Sequence, residues 1–187
     1  PRLPERPRPP GRSAPPLSLP IHPVNPSSPR PRLFVVDDDP VQIEMLCTLL
    51  HKGGYDVHAF ANGLLALTAA EARPPDLFLL DISMPEIDGI TLCRRLKIIE
   101  RLRDIPVIFI SGLADTDHVV QGFEAGGVDY ITKPFRVAEV YARVKTHLAL
   151  ISERHKVESL LRSILPARAI NELKASGHTT PEFFHDI

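Results

Sequence analysis

The stretch that most constrains this chain is the apolar run Leu77–Leu80, which ends in Asp81 and is followed by Met84-Pro85 and Asp88-Gly89. Four consecutive apolar residues predict a short strand buried on both faces, as in the middle of a parallel sheet. Asp81 falls where this strand ends, and ligands of open parallel sheets bind beyond the carboxyl ends of the strands. From this stretch alone, Asp81 is a metal ligand, a nucleophile or the cap of the next helix.

Short apolar segments alternate with helical patterns on both sides of this strand. The predicted strands cover Leu33–Val36, Tyr55–Phe60, Leu77–Leu80, Pro106–Ile110 and Asp129–Thr132. Such alternation predicts a parallel sheet with right-handed crossovers and helices on both faces. The spacing leaves no room for a second domain between residues 33 and about 150.

Apolar residues at helical spacing predict the helices between these strands. The first helix begins at Pro40 with Asp39 as its cap, and the fourth begins at Asp115. The apolar positions are Val41, Met45, Leu46, Leu49 and Leu50; Leu64, Leu65, Leu67 and Ala70; Ile90, Leu92, Cys93, Leu96 and Ile99; and Val119, Val120 and Phe123.

Residues 1–31 differ in composition from the rest of the chain. They are rich in proline and arginine and poor in large apolar residues, which predicts a disordered, partly polyproline-II tail. Such tails bind aromatic-lined grooves or anionic surfaces, but a solvated leader or linker is the favoured interpretation. Because the chain starts with proline, we expect a fragment or a processed product.

The last helix of the predicted domain begins near Val137 and continues past residue 150. Its core stripe is Val140, Val144, Leu148 and Ile151. A second stripe, made of Leu150, Arg154, Val157, Leu161 and Ile164, has the alternating spacing of a short coiled coil. We favour dimerisation over a lone helix, because an exposed apolar stripe is unfavourable in water. Leu165-Pro166 should end the helix, and a short amphipathic helix is predicted over residues 169–174.

Composition excludes several classes of protein. The 187 residues carry a formal net charge of −1, so the whole chain has no electrostatic signature of nucleic-acid binding. It contains no run long enough for a membrane span and no secretory leader. Cys47 and Cys93 lie in apolar helical patterns and are interpreted as buried free thiols. We expect a cytoplasmic protein.

Five polar residues should share the carboxyl edge of the sheet: Asp37 and Asp38 after the first strand, Asp81 after the third, Ser111 after the fourth and Lys133 after the fifth. Converging carboxylates need a counter-charge, and hard oxygen ligands select Mg²⁺ or Mn²⁺. Lys133 and the Ser111 hydroxyl suit phosphoryl oxygens. Asp81 is then the candidate nucleophile, because carboxylates form aspartyl-phosphates.

These segments together resemble the receiver domain of two-component response regulators. The matching motifs are Val35-Val36-Asp37-Asp38-Asp39-Pro40, Leu80-Asp81-Ile82-Ser83-Met84-Pro85 with Asp88-Gly89, Ile110-Ser111-Gly112 and Tyr130-Ile131-Thr132-Lys133-Pro134-Phe135. The resemblance covers residues 32 to about 150 and implies a flavodoxin-like fold.

The resemblance also implies roles for individual residues. Asp81 would accept a phosphoryl group from a phosphohistidine of a sensor histidine kinase or phosphotransfer protein. Mg²⁺ would be held by Asp37 or Asp38, by Asp81 and by the backbone carbonyl of Ser83. The peptide bond between Lys133 and Pro134 would be cis.

Ser111 and Tyr130 occupy the switch positions of that family. Phosphorylation would draw the hydroxyl toward the phosphate and turn the ring inward, which alters the face formed by the fourth helix, the fifth strand and the fifth helix. A static aromatic ring at the core edge is the alternative for Tyr130.

Residues 151–187 are predicted to be a helical linker toward an output domain. Ser163-Ile164-Leu165-Pro166, Glu172-Leu173-Lys174 and Gly177 resemble the segment upstream of class III adenylate/guanylate cyclase domains. The chain itself contains no cyclase metal or nucleotide site. A helix ending in Leu-Pro also precedes some phosphatase effector domains.

Two other functions fit parts of the sequence. A haloacid-dehalogenase-like phosphatase would use Asp37 and Asp39 as its Asp-x-Asp pair, but would give Asp81 and Lys133-Pro134 no role. A constitutive interaction module would leave the acidic residues and the lysine without a function.

Overall fold

The computed structural model describes residues 30–112 and 116–164, and within these ranges five strands alternate with five helices. In chain order they are β1 (Arg32–Val36), α1 (Pro40–Lys52), β2 (Asp56–Phe60), α2 (Gly63–Ala72), β3 (Leu77–Asp81), α3 (Gly89–Ile98), β4 (Val107–Ser111), α4 (Thr116–Glu124), β5 (Asp129–Thr132) and α5 (Val137–Ile164). Every strand pair is parallel, and the strand order is β2-β1-β3-β4-β5. The predicted flavodoxin-like sheet is confirmed.

The sheet separates two apolar clusters, because successive side chains of a strand point to opposite faces. Phe34 and Phe78 belong to the cluster beneath α2 and α3. Leu33 and Leu79 belong to the cluster beneath α1 and α5. All residues of β3 and β4 are buried. The prediction that Leu77–Leu80 form a strand buried on both faces is therefore confirmed.

Helix α1 uses only part of its predicted apolar set for the core. Leu46 and Leu50 are buried, whereas Val41 and Met45 are 71% and 47% exposed. The helical spacing of the apolar residues is as predicted, but the side of the helix that carries Val41 and Met45 does not contact the sheet. Val41 and Met45 instead line an open groove between α1 and α5, whose opposite wall includes Tyr141.

Of the predicted apolar positions of helix α2, Ala70 is buried and Leu67 packs against the core, but the prediction is wrong for Leu64 and Leu65. Leu64 and Leu65 are exposed, while Gly63 and Ala66 are buried. A Cβ atom on Gly63 would lie 2.7 Å from Cγ2 of Ile87, so the helix approaches its neighbour too closely for a larger residue. At position 63, the close approach of α2 to Ile87, rather than hydrophobicity, decides which residue faces inward.

In the described part of helix α4, a glycine again faces the sheet while larger apolar residues face outward. Val120 and Phe123, predicted as apolar positions, are half-exposed. Gly122 faces the sheet, where an added Cβ atom would lie 3.1 Å from the ring of Phe109. Val120 and Phe123 therefore lie on the surface of the domain, whereas Val119 is partly buried.

Helix α5 continues beyond the sheet, as predicted. Val140 and Val144 are buried and Leu148 is partly buried, so the first half of the core stripe is confirmed. Beyond it, Leu150 and Val157 are exposed. The second stripe is thus present on a single helix, and a coiled coil stays a prediction.

Several predictions fall on residues outside the described ranges. They are the disordered tail, the helix start at Asp115, the helix break at Leu165-Pro166, the short helix over residues 169–174 and the cyclase-like segment past Ile164. None of the helices within residues 30–112 and 116–164 combines the length and the apolar character needed to cross a bilayer.

Candidate active site

The polar residues predicted to converge do lie at one edge of the sheet. Asp37 directly follows β1, Asp81 ends β3, Ser111 ends β4 and Lys133 directly follows β5. The strand register places Asp81 opposite Ile110 and Ser111 opposite Thr132. Parallel pairing therefore brings together residues that are 96 positions apart in the chain, such as Asp37 and Lys133.

Three carboxylates form the acidic part of the site. Asp37 and Asp81 are buried, Asp38 is exposed, and one oxygen atom of each lies within 4.8 Å of the others. Hard oxygen donors at this spacing, with one face open to solvent, suit an ion that keeps several water ligands, as Mg²⁺ does. The residues present therefore fit a magnesium site.

Lys133 supplies the counter-charge. Its Nζ atom lies 2.6 Å from Oδ1 of Asp81 and 3.0 Å from Oδ2 of Asp37. Burial lowers the pKa of Lys133, but the hydrogen bonds to Asp81 and Asp37 outweigh this effect, and the net shift of the pKa is upward. The ammonium group therefore stays charged. The peptide bond between Lys133 and Pro134 is cis, as the resemblance implies.

Asp37 is held in place by a second hydrogen bond, in addition to that from Lys133. Its Oδ1 atom accepts from the backbone N–H of Asp39 at 2.9 Å. Burial and the nearby charge of Asp81 raise the pKa of Asp37, although these hydrogen bonds act in the opposite direction. This is the expected behaviour of an acid that shares a small buried site with another acid.

Asp39 caps helix α1, as predicted. Its side chain accepts hydrogen bonds from the backbone N–H of Val41 at 2.9 Å and from the side-chain amide of Gln42 at 3.1 Å. These bonds to the first turn of α1 occupy both carboxylate oxygen atoms. Asp39 therefore acts as a helix cap, and the three carboxylates that lie together are those of Asp37, Asp38 and Asp81.

The loop after β3 is folded tightly against the acidic residues. The backbone N–H of Ser83 donates to Oδ2 of Asp81 at 3.0 Å. Asp88 caps α3 by accepting from the backbone N–H of Thr91 at 2.7 Å. Gly89 lies against the strand end, where an added Cβ atom would be 2.1 Å from the carbonyl oxygen of Asp81. The Asp88-Gly89 pair thus allows the loop to turn beside Asp81.

A hydrogen bond that joins two loops beside the site was not predicted from the sequence. The Asn62 side-chain amide donates to the Glu86 carboxylate at 2.7 Å. Glu86 has φ 65°, which is uncommon for a residue other than glycine. The sequence gives no signal that the Asn62 amide holds a loop 24 residues away.

Ser111 ends β4, and Tyr130 lies in the neighbouring strand β5. Ser111 is buried beside the acidic residues, and its carbonyl accepts from the backbone N–H of Lys133 at 2.7 Å. Tyr130 is half-buried and packs against the apolar cluster that contains Phe109. Their movement on phosphorylation stays a prediction.

A second charged cluster, at the opposite end of β5, was also missed. Asp129 accepts from Arg143 Nη1 at 2.6 Å and lies 2.9 Å from Nε2 of His147. Arg143 also contacts Glu139. Burial raises the pKa of Asp129, but the bonds from His147 and Arg143 outweigh it, so the pKa is lowered. This cluster fixes α5 to the sheet.

The cysteines have no part in the site. Cys93 is buried and Cys47 is half-buried, and both are free. Burial raises the pKa of the Cys93 thiol to about 11, so it is unreactive at neutral pH. The prediction of free thiols is confirmed, although Cys47 is less buried than predicted.

Comparison with known proteins agrees with the fold. A family model described as the response regulator receiver domain matches residues 33–145. The DNA-binding dual master transcriptional regulator RpaA of Synechocystis is 41% identical over 118 residues, which are 63% of this chain and 49% of that protein. The chain spans about half the length of the curated relatives it matches.

Two solved receiver domains show the same architecture. One, from a signal transduction histidine kinase of Syntrophus aciditrophicus, is 39% identical with a TM-score of 0.60, over 64% of this chain and 90% of that chain. The other, from a sensor histidine kinase of Pseudomonas aeruginosa, is 28% identical with a TM-score of 0.61, over 65% and 99% of the two chains. That structure has a magnesium ion coordinated in its active site cleft.

Proposed function

Because this chain belongs to the family of response regulator receiver domains, we propose that it is a phosphorylation-controlled signalling switch with Asp81 as phosphoacceptor. The observation that carries the proposal is the position of Asp81. It is buried, it lies within 4.8 Å of two further carboxylates, and it accepts a 2.6 Å hydrogen bond from Lys133.

The chain's own residues account for the chemistry. A carboxylate oxygen of Asp81 attacks the phosphorus of a phosphohistidine, the P–O bond forms as the P–N bond breaks, and the leaving imidazole takes a proton. Asp37, Asp38, Asp81 and the Ser83 carbonyl would hold Mg²⁺, which would neutralise charge on the phosphoryl oxygens. The magnesium-containing relative supports this ion, whereas nothing in the comparisons supports Mn²⁺.

Lys133 and Ser111 then stabilise the product. The Lys133 ammonium, now shared between two carboxylates, gains a phosphoryl oxygen as a third acceptor. The Ser111 hydroxyl donates to another oxygen, and Tyr130 turns inward. Together these changes alter the face formed by α4, β5 and α5.

The partners follow from this chemistry. A sensor histidine kinase or phosphotransfer protein donates the phosphoryl group in the cytoplasm, and the exposed stripe of α5 pairs with a second copy of the chain. Residues 32–150 are the receiver, residues 1–31 a tail, and residues 151–187 a linker. The receiver itself needs no nucleic acid, since its charged edge is acidic.

The output belongs to a part of the protein beyond the receiver. RpaA is named as a DNA-binding regulator, which supports control of transcription. The segment from Ser163 to Gly177 resembles the entry to nucleotidyl cyclase domains, and this resemblance is the basis for proposing a cyclase as the output. The comparisons provide no support for the cyclase, so the proposal is tested by sequencing the full reading frame.

The switch is tested by intact mass measurement after incubation with acetyl phosphate and Mg²⁺. We expect the wild type to gain one phosphoryl group, and both Asp81→Asn and the EDTA-treated wild type to gain none. Asp76→Asn, which changes an acid near the opposite end of β3, is the control and should behave as the wild type. No gain in the wild type would leave a constitutive interaction module as the better account.

A further inference from the structure

Helices α1 and α5 leave an apolar groove between them that the rest of the described chain does not fill. The groove has a volume of about 500 Å³, and its wall on α5 includes Tyr141, whose hydroxyl donates to the backbone carbonyl of Leu49. Val41, Met45 and Val137 also line the groove, and they are 71%, 47% and 45% exposed. Large apolar side chains that share one exposed surface typically mark an interaction site.

The groove runs from one edge of the sheet to the other. Val41 follows Asp38 of the acidic site by three residues, so one end of the groove lies at the active site. Lys52, at the other end, is the last residue of α1, and α1 returns the chain from the end of β1 to the start of β2. From Val41 to Lys52 the helix rises about 16 Å.

The N-terminal segment joins the sheet near the Lys52 end of the groove. The backbone N–H of Asp56 donates to the carbonyl of Pro31 at 2.9 Å, and Asp56 follows Lys52 by four residues. Four residues span at most about 15 Å. Residues 1–29 are therefore attached close to the end of the groove that is farther from the active site.

Part of this N-terminal segment has the composition expected of a ligand for an apolar groove. Leu17, Leu19 and Ile21 are large apolar residues at alternate positions, and residues 13–24 contain no lysine, arginine, aspartate or glutamate. The four prolines within residues 13–24 disfavour a helix and favour extended backbone. In extended backbone, alternate side chains point to the same side, so residues 17–21 can present three apolar side chains to one surface.

The spacing and the length of this segment match the groove. Leu17 and Leu19 lie about 6.5 Å apart in extended backbone, and Val41 and Met45, one helical turn apart, are separated by about 6 Å. The nine residues that follow Ile21 span up to about 28 Å, which is enough to lead back to the start of β1. A segment tethered in this way acts at an effective concentration of about 1 mM, so even a weak contact forms.

The charges of the segment complement those at the active-site end of the groove. Residues 1–12 contain four arginines and one acid. Arg12 precedes Leu17 by five residues, a distance of up to about 16 Å, and Asp38 is the exposed acid of the metal-binding cluster. Near this end of the groove, four carboxylates outnumber two cations: Asp37, Asp38, Asp39, Asp81, Lys133 and Arg136.

We propose that residues 12–21 fold back over the groove as an intramolecular strap, with their three alternate apolar side chains covering it and Arg12 paired with Asp38. The paired arginine competes with Mg²⁺ for this carboxylate, so the strap lowers the affinity of the site for the ion. The covering of the groove is independent of phosphorylation, whereas the competition with Mg²⁺ rests on the proposed function.

The covering of the groove is tested by oxidation of Met45 with hydrogen peroxide in the full chain, because the rate follows exposure. The other methionine, Met84, is buried and serves as the internal standard. We expect the triple variant Leu17→Ser/Leu19→Ser/Ile21→Ser to oxidise at Met45 about threefold faster than the wild type, as measured by peptide mass spectrometry. The matched control with one leucine of the same segment replaced outside the strap, L3S, should behave as the wild type.

Two outcomes of this experiment would overturn the strap. One is equal oxidation of Met45 in the wild type and the triple variant. The other is protection of Met45 only at high protein concentration, which would place a second copy of the chain in the groove. The three substitutions precede the first strand, so they leave the sheet and its helices intact, and circular dichroism verifies this.

The pairing of Arg12 is tested by calorimetric titration of the full chain with Mg²⁺. Arg12→Gln should tighten Mg²⁺ binding by about two- to fivefold, the range of an exposed ion pair. Arg2→Gln removes the same charge ten residues farther from the groove and should leave the affinity unchanged. Equal Mg²⁺ affinity of Arg12→Gln and the wild type would refute the pairing.

The outcomes separate the strap from the proposed function. A wild type whose Met45 is protected relative to the triple variant, but which gains no phosphoryl group, would support the strap and remove the switch. Phosphorylation of Asp81 in a wild type whose Met45 is as reactive as that of the triple variant would remove the strap and leave the switch.

Discussion

The two ends of α5 show how differently the same type of interaction acts in different surroundings. Near its start, Lys133 bonds to Asp81 at 2.6 Å with 18% and 5% of the two side chains exposed. Past the sheet, Arg154 bonds to Asp104 at 3.3 Å with 59% and 63% exposed. Burial strengthens the attraction between opposite charges, because water screens them less, but it also makes the loss of either partner more costly.

This difference suits the two regions to different tasks. In the active site, the buried charges hold one another in fixed positions and keep Lys133 ready for an incoming anion. On the extension, the exposed pair of Arg154 and Asp104 holds its two side chains only weakly. The following predictions test this contrast, beginning with the largest effect.

The largest effect is expected when the buried counter-charge is removed. Lys133→Met leaves two buried carboxylates without their cation, and breaking a buried pair costs about 3–5 kcal/mol. We expect the free energy of unfolding in urea to fall by this amount in EDTA, and much of the loss to be recovered in Mg²⁺. Lys145→Met, at an exposed position of α5, is the control. Equal stability of both variants in EDTA would contradict the stated difference between buried and exposed charges.

A smaller effect is expected from a methyl group beside Asp81. Gly89→Ala places a Cβ atom 2.1 Å from the Asp81 carbonyl oxygen, whereas Gly112→Ala meets nothing within 4 Å. Overpacking typically costs about 1–3 kcal/mol. We expect Gly89→Ala to lower both stability and the rate of phosphorylation, measured by denaturation and by intact mass, and Gly112→Ala to change stability little. Similar behaviour of the two variants would mean that the loop relaxes freely.

The half-buried cluster around Asp129 should fall between the two extremes. Because the pKa of Asp129 is lowered in the folded protein, its contribution to stability is present above pH about 4 and is lost as the pH falls through the folded pKa. Asp129→Asn should cost about 1 kcal/mol at neutral pH and should flatten the acid limb of a plot of stability against pH. An unchanged acid limb would show that the cluster contributes nothing.

The smallest effect is expected at the exposed pair. Asp104→Asn and Arg154→Gln should each change the free energy of unfolding of the monomer by about 0.5 kcal/mol or less. Thermal unfolding at low protein concentration measures this without the dimer. A loss as large as that of Lys133→Met would show that exposure does not weaken this ion pair.

The sequence was sufficient for the elements that depend on local pattern. The run before Asp81 is apolar at every position, which only a fully covered strand tolerates, and β3 is such a strand. Once the strands are parallel, the carboxyl edge must collect Asp37, Asp81 and Lys133. The site could therefore be placed without coordinates.

The features that depend on tertiary distance could not be predicted. The helical period predicts that Val41 faces the core. It does not show that the sheet ends before it reaches that side of α1. The bonds of Asp129 to side chains 14 and 18 residues away have no sequence pattern of their own. The same is true of Arg154 and Asp104, which are 50 residues apart.

The most direct test of the central claim is to locate the phosphoryl group. The wild type is phosphorylated with acetyl phosphate and Mg²⁺, reduced with borohydride, which converts an aspartyl phosphate to homoserine, and mapped by peptide mass spectrometry. The account predicts homoserine at position 81 and at no other aspartate. Homoserine at Asp37 or Asp38 with Asp81 unmodified, or phosphate on a residue that is not an acid, would contradict it.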